Sequence, residues 1–490
     1  MCFDVSVRPE YRDPCVKLEE ISELDSKAIS QEAVKALQAD LRGEVLLPSD
    51  TGYEQSRKIW NGMIDKRPAM IVRCLGTSDV MKAVRFARDQ RLTVSVRGGG
   101  HNVAGNAVCD NGLMIDLSGM KSVRVDPARR TARAEPGVMW RQFDLETQAF
   151  GLASTGGLVS TTGIAGFTLG GGIGWLVRKH GLALDNLVSV DMVTAKAELV
   201  TANMNENTDL FWGVKGGGGN FGIVTSFEYQ LHPVGPIVLG GLIAYRAEEG
   251  QALLRFYRDF VKEAPEELTT LVVYLTAPPL PFLPKEVHGK HLVAIVLCYC
   301  GKVEDGQRIL SPLRKFGKPV ADVIQPMPYT VLQSMLDGAA PAGIQNYWKS
   351  AYISGLNDDV IDLILTYGER ITSPLSAIHV HQLGGAMRRI GDDATAFSHR
   401  DAPFALNIVS SWKEPSENDK NINWTREFFA AVQKFATGAY VNFMGEEGAD
   451  RVKEAYGEKY SQLVALKNKY DPTNFFHVNQ NIKPTNVTKP

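Results

Sequence analysis

Two patterns of apolar and polar positions divide the chain. Up to residue 235, short apolar runs alternate with amphipathic segments and with clusters of glycine. Residues 27–41 (KAISQEAVKALQADL) have helical periodicity and stop before Gly43. AMIVRC (69–74) is a buried strand, Thr77-Ser78-Asp79 cap a helix through VMKAVRFARDQ, and LTVSVRGGG (92–100) is a strand breaking into a glycine turn. Residues 114–137 give short strands and turns, and 140–151 a helix. A glycine-rich stretch, GLASTGGLVSTTGIAGFTLGGGIG, fills 151–174 and runs on to the strands LVSVDMVTA and AELVTA. Another, GVKGGGGNFG (213–222), precedes the strand IVTSFEYQLHPV.

Past Pro233 and Pro236 the pattern changes. Long strands (IVLGGLIAY, LTTLVVYLTA, HLVAIVLCYC) alternate with amphipathic helices (GQALLRFYRDFVKEA, DVIDLILTYGERI), as in an α+β domain on a broad sheet. The chain closes with one helix, DRVKEAYGEKYSQLVALKNKY, and the tail DPTNFFHVNQNIKP.

Composition excludes more than it selects. The chain has 490 residues, enough for two or three domains, and 22% charged residues, ordinary for a globular protein. The net charge of −2 leaves no footprint for nucleic acid or an anionic membrane. No stretch reaches the ~20 apolar residues of a membrane span, and the N-terminus MCFDVSVRPEYRDPC lacks the apolar run of a secretory signal. A cytoplasmic protein is the resulting expectation. The cysteines at 2, 15, 74, 109, 298 and 300 form no CxxC, and they are expected to be reduced packing residues with no metal.

Glycine clusters after strands let a ligand approach the backbone and aim N–H groups at phosphate. Three of them in one region suggest a large, charged cofactor such as a dinucleotide. Gly217-Gly218-Gly219-Asn220-Phe221-Gly222 fits GxGxxG, but the strand IVTSFEY follows it, where the nicotinamide fingerprint requires a helix. There is no GxxxxGK[ST] phosphate loop. His101, inside Arg97-Gly98-Gly99-Gly100-His101-Asn102, has few side chains beside it to pack on and so points to a ligand rather than to the core.

SVRGGGHNVAG, GIAGFTLGGGIGWLVRKHGLALDNL, DLFWGVKGGGGNFGIVT and YDPTNFFHVNQNI, in that order, resemble the berberine-bridge-enzyme-like branch of the vanillyl-alcohol-oxidase flavoproteins, with their PCMH-type FAD-binding core. The resemblance spans 67–235 and 440–484. It implies a split FAD-binding domain (1–235, with the segment 440–490 returning to it) and a substrate domain (236–439) whose large antiparallel sheet, covered by helices, lies over the flavin. It also implies FAD bonded covalently through His101 to the flavin 8α-methyl. The remaining contacts would be Arg97, Gly98, Gly99, Gly100, Asn102 and Gly105, then Thr161, Thr162, Gly163, Gly166, Gly171 and Gly174, then Ile223, and Asn479 and Asn481 of the tail. Main-chain N–H groups of 98–102 and 161–166 are expected on the diphosphate. Many members carry a second anchor, a cysteine eleven residues before the GGG run; that position here is Val159, so a single link is expected and no 6-S-cysteinyl bond.

The resemblance further implies hydride transfer from an alcohol, sugar or amine carbon to the flavin. Oxygen is the expected re-oxidant, since the position that governs its access holds the small Thr162. A dehydrogenase with another acceptor, or a binding protein without turnover, are the alternatives. Where members often place a catalytic Tyr, this chain has Phe443, so the candidates become His381, in IHVHQLGGAM, with Asn407 and Tyr440; Trp348 and Asn442 are further pocket candidates. His379 and His381 share a strand face with Gln382 on the other, and a metal reading of HxH lacks a third ligand. Neither the substrate nor the oligomeric state is legible in the sequence.

Overall fold

The computed structural model describes residues 29–486. Cys2, Cys15 and the first two residues of the helix expected over 27–41 lie outside the described residues; within them that helix is Gln31–Asp40, capped by the Ser30 hydroxyl. Cys74, Cys109, Cys298 and Cys300 are free thiols.

Three sheets carry the architecture. The first orders its strands Glu44–Leu46, Met70–Arg73, Leu113–Asp116, Val94–Arg97; the last three run parallel. The helix Thr77–Asp89 makes the crossover from Met70–Arg73 to Val94–Arg97. Its expected hydroxyl cap does not form. Gly76 precedes the helix, and the Asp79 carboxylate turns back to accept the N–H groups of Arg42, Gly43 and Leu75, so this acid serves the loop rather than the helix end.

The second sheet is antiparallel, ordered Val123–Asp126, Thr131–Ala134, Ile223–Gln230, Leu187–Val193, Leu199–Asn203. Its core includes Phe143, Phe211, Phe227 and Tyr229, together with Val452, Leu463, Leu466 and Ile482 from the end of the chain. The C-terminal segment thus shares a core with residues 132–231.

That segment holds two helices, not the single one its periodicity suggests. Ala449–Tyr456 stops at Gly457, whose φ of +54° no helix can continue, and Tyr460–Tyr470 follows a short 3-10 turn. Inside it, the fully buried Lys467 ammonium donates to Asp471 (2.7 Å) and to the carbonyls of Asn220 (2.7 Å) and Phe476 (2.8 Å).

The third sheet has nine strands, all antiparallel. Its centre reads Ile237–Arg246, His291–Tyr299, Leu268–Thr276, Ala377–Gln382, Phe404–Trp412, Gln345–Ile353. Val272, Ile378, Val380, Leu406 and Ile408 point from it into a core shared with the helices Gly250–Phe260, Asp358–Glu369 and Asn418–Val432. Alternation sends their neighbours to the opposite face, which packs on Ala153, Ile173, Trp175 and Val177 of the glycine-rich stretch. The architecture is α+β, and among the described residues no helix is long and apolar enough to cross a membrane.

Removing one partner of a buried ion pair strands the other charge and costs about 3–5 kcal/mol. Lys467→Met is therefore expected to lower stability by about that amount in urea unfolding; a change below about 1 kcal/mol, the worth of a surface pair, would contradict this role.

Candidate functional site

Three segments distant in sequence carry the residues expected at the cofactor, and two of them meet beside His101. The strand Val94–Arg97 delivers the turn 98–102 at its carboxyl end. Among the described residues no acceptor meets the main-chain N–H groups of Gly99, Gly100 and Asn102. The Arg97 guanidinium is committed elsewhere: it holds the buried Asp116 carboxylate (Nε to Oδ1, 2.9 Å) and donates to the carbonyls of Ser56 (2.5 Å) and Lys58 (3.2 Å). Its side chain thus anchors the segment 56–60. At the end of that segment the Trp60 N–H donates to Gly100 O (3.0 Å), and the indole stacks on the His101 imidazole, 4.5 Å between ring centres and 16° between planes. His101 Nε2 is buried with no partner. Burial lowers the imidazole pKa to about 4, with its own main chain and Asp337 acting the other way, so the ring is neutral at pH 7.

The second segment is the loop 159–163. It touches the first directly, since a Cβ built on Gly99 would lie 2.6 Å from Gly163 Cα. The Ser160 N–H and hydroxyl both donate to Asp337, at 2.8 and 2.6 Å. The third is the tail, docked on the last glycine cluster. Asn220 Nδ2 donates to Gly217 O and Gln480 O, and Asn220 Oδ1 accepts from the Ile482 N–H. The Asn479 amide donates to Gly219 O, while Asn479 Oδ1 and Asn481 Oδ1 stay buried without partners.

Most glycines expected to admit a ligand instead admit other parts of the protein. A Cβ on Gly98 would meet Pro136 O (2.8 Å), on Gly105 the Ile64 side chain (2.6 Å), on Gly171 Phe397 and Tyr440 (both 2.8 Å), and on Gly174 Gly156 O (1.6 Å). Gly100 is in the left-handed region, φ +68°. At Gly166, in the short helix Ile164–Leu169, a Cβ would meet nothing within 4 Å. Ile223 is buried in the same core as Phe476 of the tail. Thr161 and Thr162 are partly exposed, and the Thr162 carbonyl accepts from the Trp140 N–H.

A line of rings leads from His101 to the large sheet. Trp60 meets Trp348 edge-on (5.5 Å), Trp348 meets Phe443 (6.2 Å), and Phe443 meets both His381 (5.2 Å) and Tyr440 (4.8 Å). Register places His379 opposite Asn407 and Asn407 opposite Ser350, so these residues share one sheet face with Trp348, Tyr352 and His381. On that face Trp348 Nε1, Ser350 Oγ, Tyr352 O–H, His381 Nε2 and Asn407 Oδ1 are all buried and unpartnered. Gln382, on the opposite face, accepts from Thr270 and lines a separate cavity of about 420 Å³ with Arg178 and Arg258.

Two of the catalytic candidates have distinctive surroundings. The Tyr440 hydroxyl accepts from the N–H groups of Gly172 (2.8 Å) and Ile173 (3.3 Å) and from Asn442 Nδ2 (2.9 Å), and burial raises its pKa to about 12. It clasps the glycine turn. Asn442, which also donates to Phe167 O, belongs to the same clasp. Burial, and secondarily His379, lower His381 to about 3, far below the reference value that suited it to a base; burial lowers His379 to about 4. Asn407 remains a free acceptor. Trp60, Ser350, Tyr352 and Asp337 gave no signal in the sequence, because each gains its role from a neighbour at least 40 residues away.

Residues 68–203 match the FAD binding domain family, and 439–483 the berberine and berberine-like family. An FAD-linked oxidoreductase of Dictyostelium discoideum is 33% identical over 94% of this chain and 99% of its own. The (R)-6-hydroxynicotine oxidase of Paenarthrobacter nicotinovorans is 32% identical over 91% and 97%. The crystal structure of 6-hydroxy-D-nicotine oxidase from Arthrobacter nicotinovorans superposes with a TM-score of 0.82 at 31% identity, covering 90% of this chain and 98% of that one.

Gly166→Val separates a cradle from a packing glycine. Replacing an exposed helical glycine costs well under about 1 kcal/mol, so the variant is expected to fold normally yet purify with little FAD. Stoichiometric FAD in it would place the cofactor elsewhere.

Proposed function

The chain belongs to the FAD-linked oxidoreductases with a berberine-like C-terminal segment, and on that premise we propose that it is an oxidase that holds FAD covalently through His101 and oxidises a carbon bearing an uncharged amine. The observation that carries this reading is the run of rings from His101 to a sheet face whose polar atoms lack partners and whose titratable groups stay neutral. FAD, when bound, supplies the hydride acceptor and passes the two electrons to dioxygen.

The residues present fit that group. His101 offers a neutral nitrogen with no partner, Asn479 and Asn481 offer buried acceptors, and the space beside Gly166 is open. The N–H groups of Gly99, Gly100 and Asn102 would serve the diphosphate, which a buried site must satisfy with several donors. His101 would hold the flavin at its 8α-methyl; such a link would replace one C–H and one N–H bond by one C–N bond, and dioxygen would take the two electrons and two protons released. Val159 supports a single link, since it has no sulfur to bond. The corresponding division is an FAD-binding part from 1–235 and 440–490 and a substrate part from 236–439, meeting at His101.

The chain's own residues then position the substrate. Trp348, Phe443 and Tyr352 form apolar walls, and Asn407 Oδ1 and His381 present hydrogen-bonding atoms between them. An alcohol must lose its hydroxyl proton to a base as hydride leaves, whereas an uncharged amine need not. With His381 near 3, His379 near 4 and Tyr440 near 12, none of these groups titrates around neutrality. That favours the amine over the alcohol or sugar. Oxygen as acceptor is supported by the small Thr162 beside Val159; peroxide release in air would distinguish it from a dehydrogenase using another acceptor.

Three outcomes are expected. In a substrate panel followed by anaerobic flavin bleaching, secondary and tertiary amines reduce the protein and simple alcohols do not; the reverse would overturn the amine reading. His101→Ala retains FAD that washes out on denaturation, while flavin that stays attached in this variant would rule out the link. His381→Ala slows flavin reduction about tenfold, the worth of one hydrogen bond. Because His381 is already deprotonated well below neutrality, the rate rises with pH only through the substrate's own ionisation, equally in wild type and variant. A loss of about 10²–10⁴-fold together with a vanished enzyme ionisation would instead make His381 the base.

A further inference from the structure

We propose that Trp60 is the positioning residue for covalent attachment: its indole face fixes the plane of the His101 imidazole while leaving Nε2 unoccupied. This rests on the reading of His101 as the attachment point. The turn around His101 is made of Gly98, Gly99 and Gly100, which have no side chains to limit rotation of the imidazole. The ring contact that fixes its plane is Trp60, stacked at 4.5 Å and 16°. A hydrogen-bond donor would also orient an imidazole, but it would occupy the lone pair that must form the new bond. A stacked ring holds the plane and leaves that lone pair, which lies in the plane, available; Nε2 accordingly has no partner.

Trp60 is itself held from every side. Its N–H donates to Gly100 O (3.0 Å), its carbonyl accepts from the Gly343 N–H (2.9 Å), and its indole N–H donates to Ala340 O (3.0 Å). Trp348 closes on it edge-first at 5.5 Å. Gly343, Ala340 and Trp348 all belong to the substrate part, so the pose of His101 is set from across the interface. Attachment therefore requires the two parts to be docked, and Trp60 transmits that condition.

The test compares W60F, which keeps a flat ring, with W60L, which keeps apolar volume without one. Protein from riboflavin-starved cells is given FAD in air, and the flavin that stays with the polypeptide after acid precipitation is followed in time. Misplacing a reacting group by about 1 Å costs about 10²-fold in rate, so W60L is expected to attach FAD about 10²-fold more slowly than wild type. Both variants lose the indole N–H to Ala340 O and should melt below wild type; at a temperature where each is folded, W60L should bind non-covalent FAD as wild type does, and W60F should attach at close to the wild-type rate. Should W60L not fold, W60M takes its place with the same expectation. W60L attaching at the wild-type rate would overturn the proposal. So would W60F as slow as W60L, which would assign the effect to the indole N–H. Wild type that releases all its flavin in acid would defeat the attachment reading itself, whereas acid-stable wild-type flavin with an unaffected W60L defeats this proposal alone.

Discussion

One buried amide ties the glycine turn around His101 to the strand Gln345–Ile353 of the nine-stranded sheet. Asn61 Nδ2 donates to Val103 O (2.8 Å) and Asn346 O (3.0 Å), and Asn61 Oδ1 accepts from the N–H groups of Asn346 (3.1 Å) and Met63 (3.1 Å). Four hydrogen bonds exhaust its capacity, and two of its partners flank the functional elements: Val103 lies two residues past His101, and Asn346 two before Trp348. Leaving any of these groups unpaired in the interior costs about 1–3 kcal/mol, so the interface has one register. Trp60 precedes Asn61 and inherits that register, and through Trp60 so does the imidazole.

The same interface leaves a deficit on its inner side. Buried polar groups in proteins are nearly always paired, yet five unpaired ones share a single sheet face from Trp348 to Asn407, and one atom each of His101, Asn479 and Asn481 is unpaired as well. Register has already fixed those on the sheet, so a ligand meeting them would find groups that need no rearrangement. Tyr440, Asn442 and Arg97 show the opposite behaviour. Their polar atoms hold Gly172, Phe167 and Asp116.

Much of this was legible from sequence, for identifiable reasons. The strands Met70–Arg73 and Ile223–Gln230 and the helices Gly250–Phe260 and Asp358–Glu369 carry strong local periodicity, and the structure follows it. Gly457 sits inside an otherwise unbroken helical pattern, and its left-handed φ decides there. Asp79 looks like part of a cap but is drawn away by Arg42 and Gly43, 37 and 36 residues before it. The glycine clusters mark where the chain packs backbone on backbone, but composition cannot distinguish a glycine beside open space, such as Gly166, from one that meets Pro136 or Gly156. His381 illustrates the widest gap: the residue type suggests a base, and only its burial makes it a neutral hydrogen-bonding group. Trp60 carries no periodic or motif signal, because its partner is 41 residues ahead.

The central claim is that the converging segments present His101 for a covalent bond to FAD. Peptide mapping of the acid-denatured wild-type protein by tandem mass spectrometry tests it most directly. The account predicts the added mass of FAD on the tryptic peptide that begins at Gly98, localised to His101 and on no other peptide. An unmodified His101 peptide from protein purified with its flavin, or flavin attached to any other residue, would contradict it.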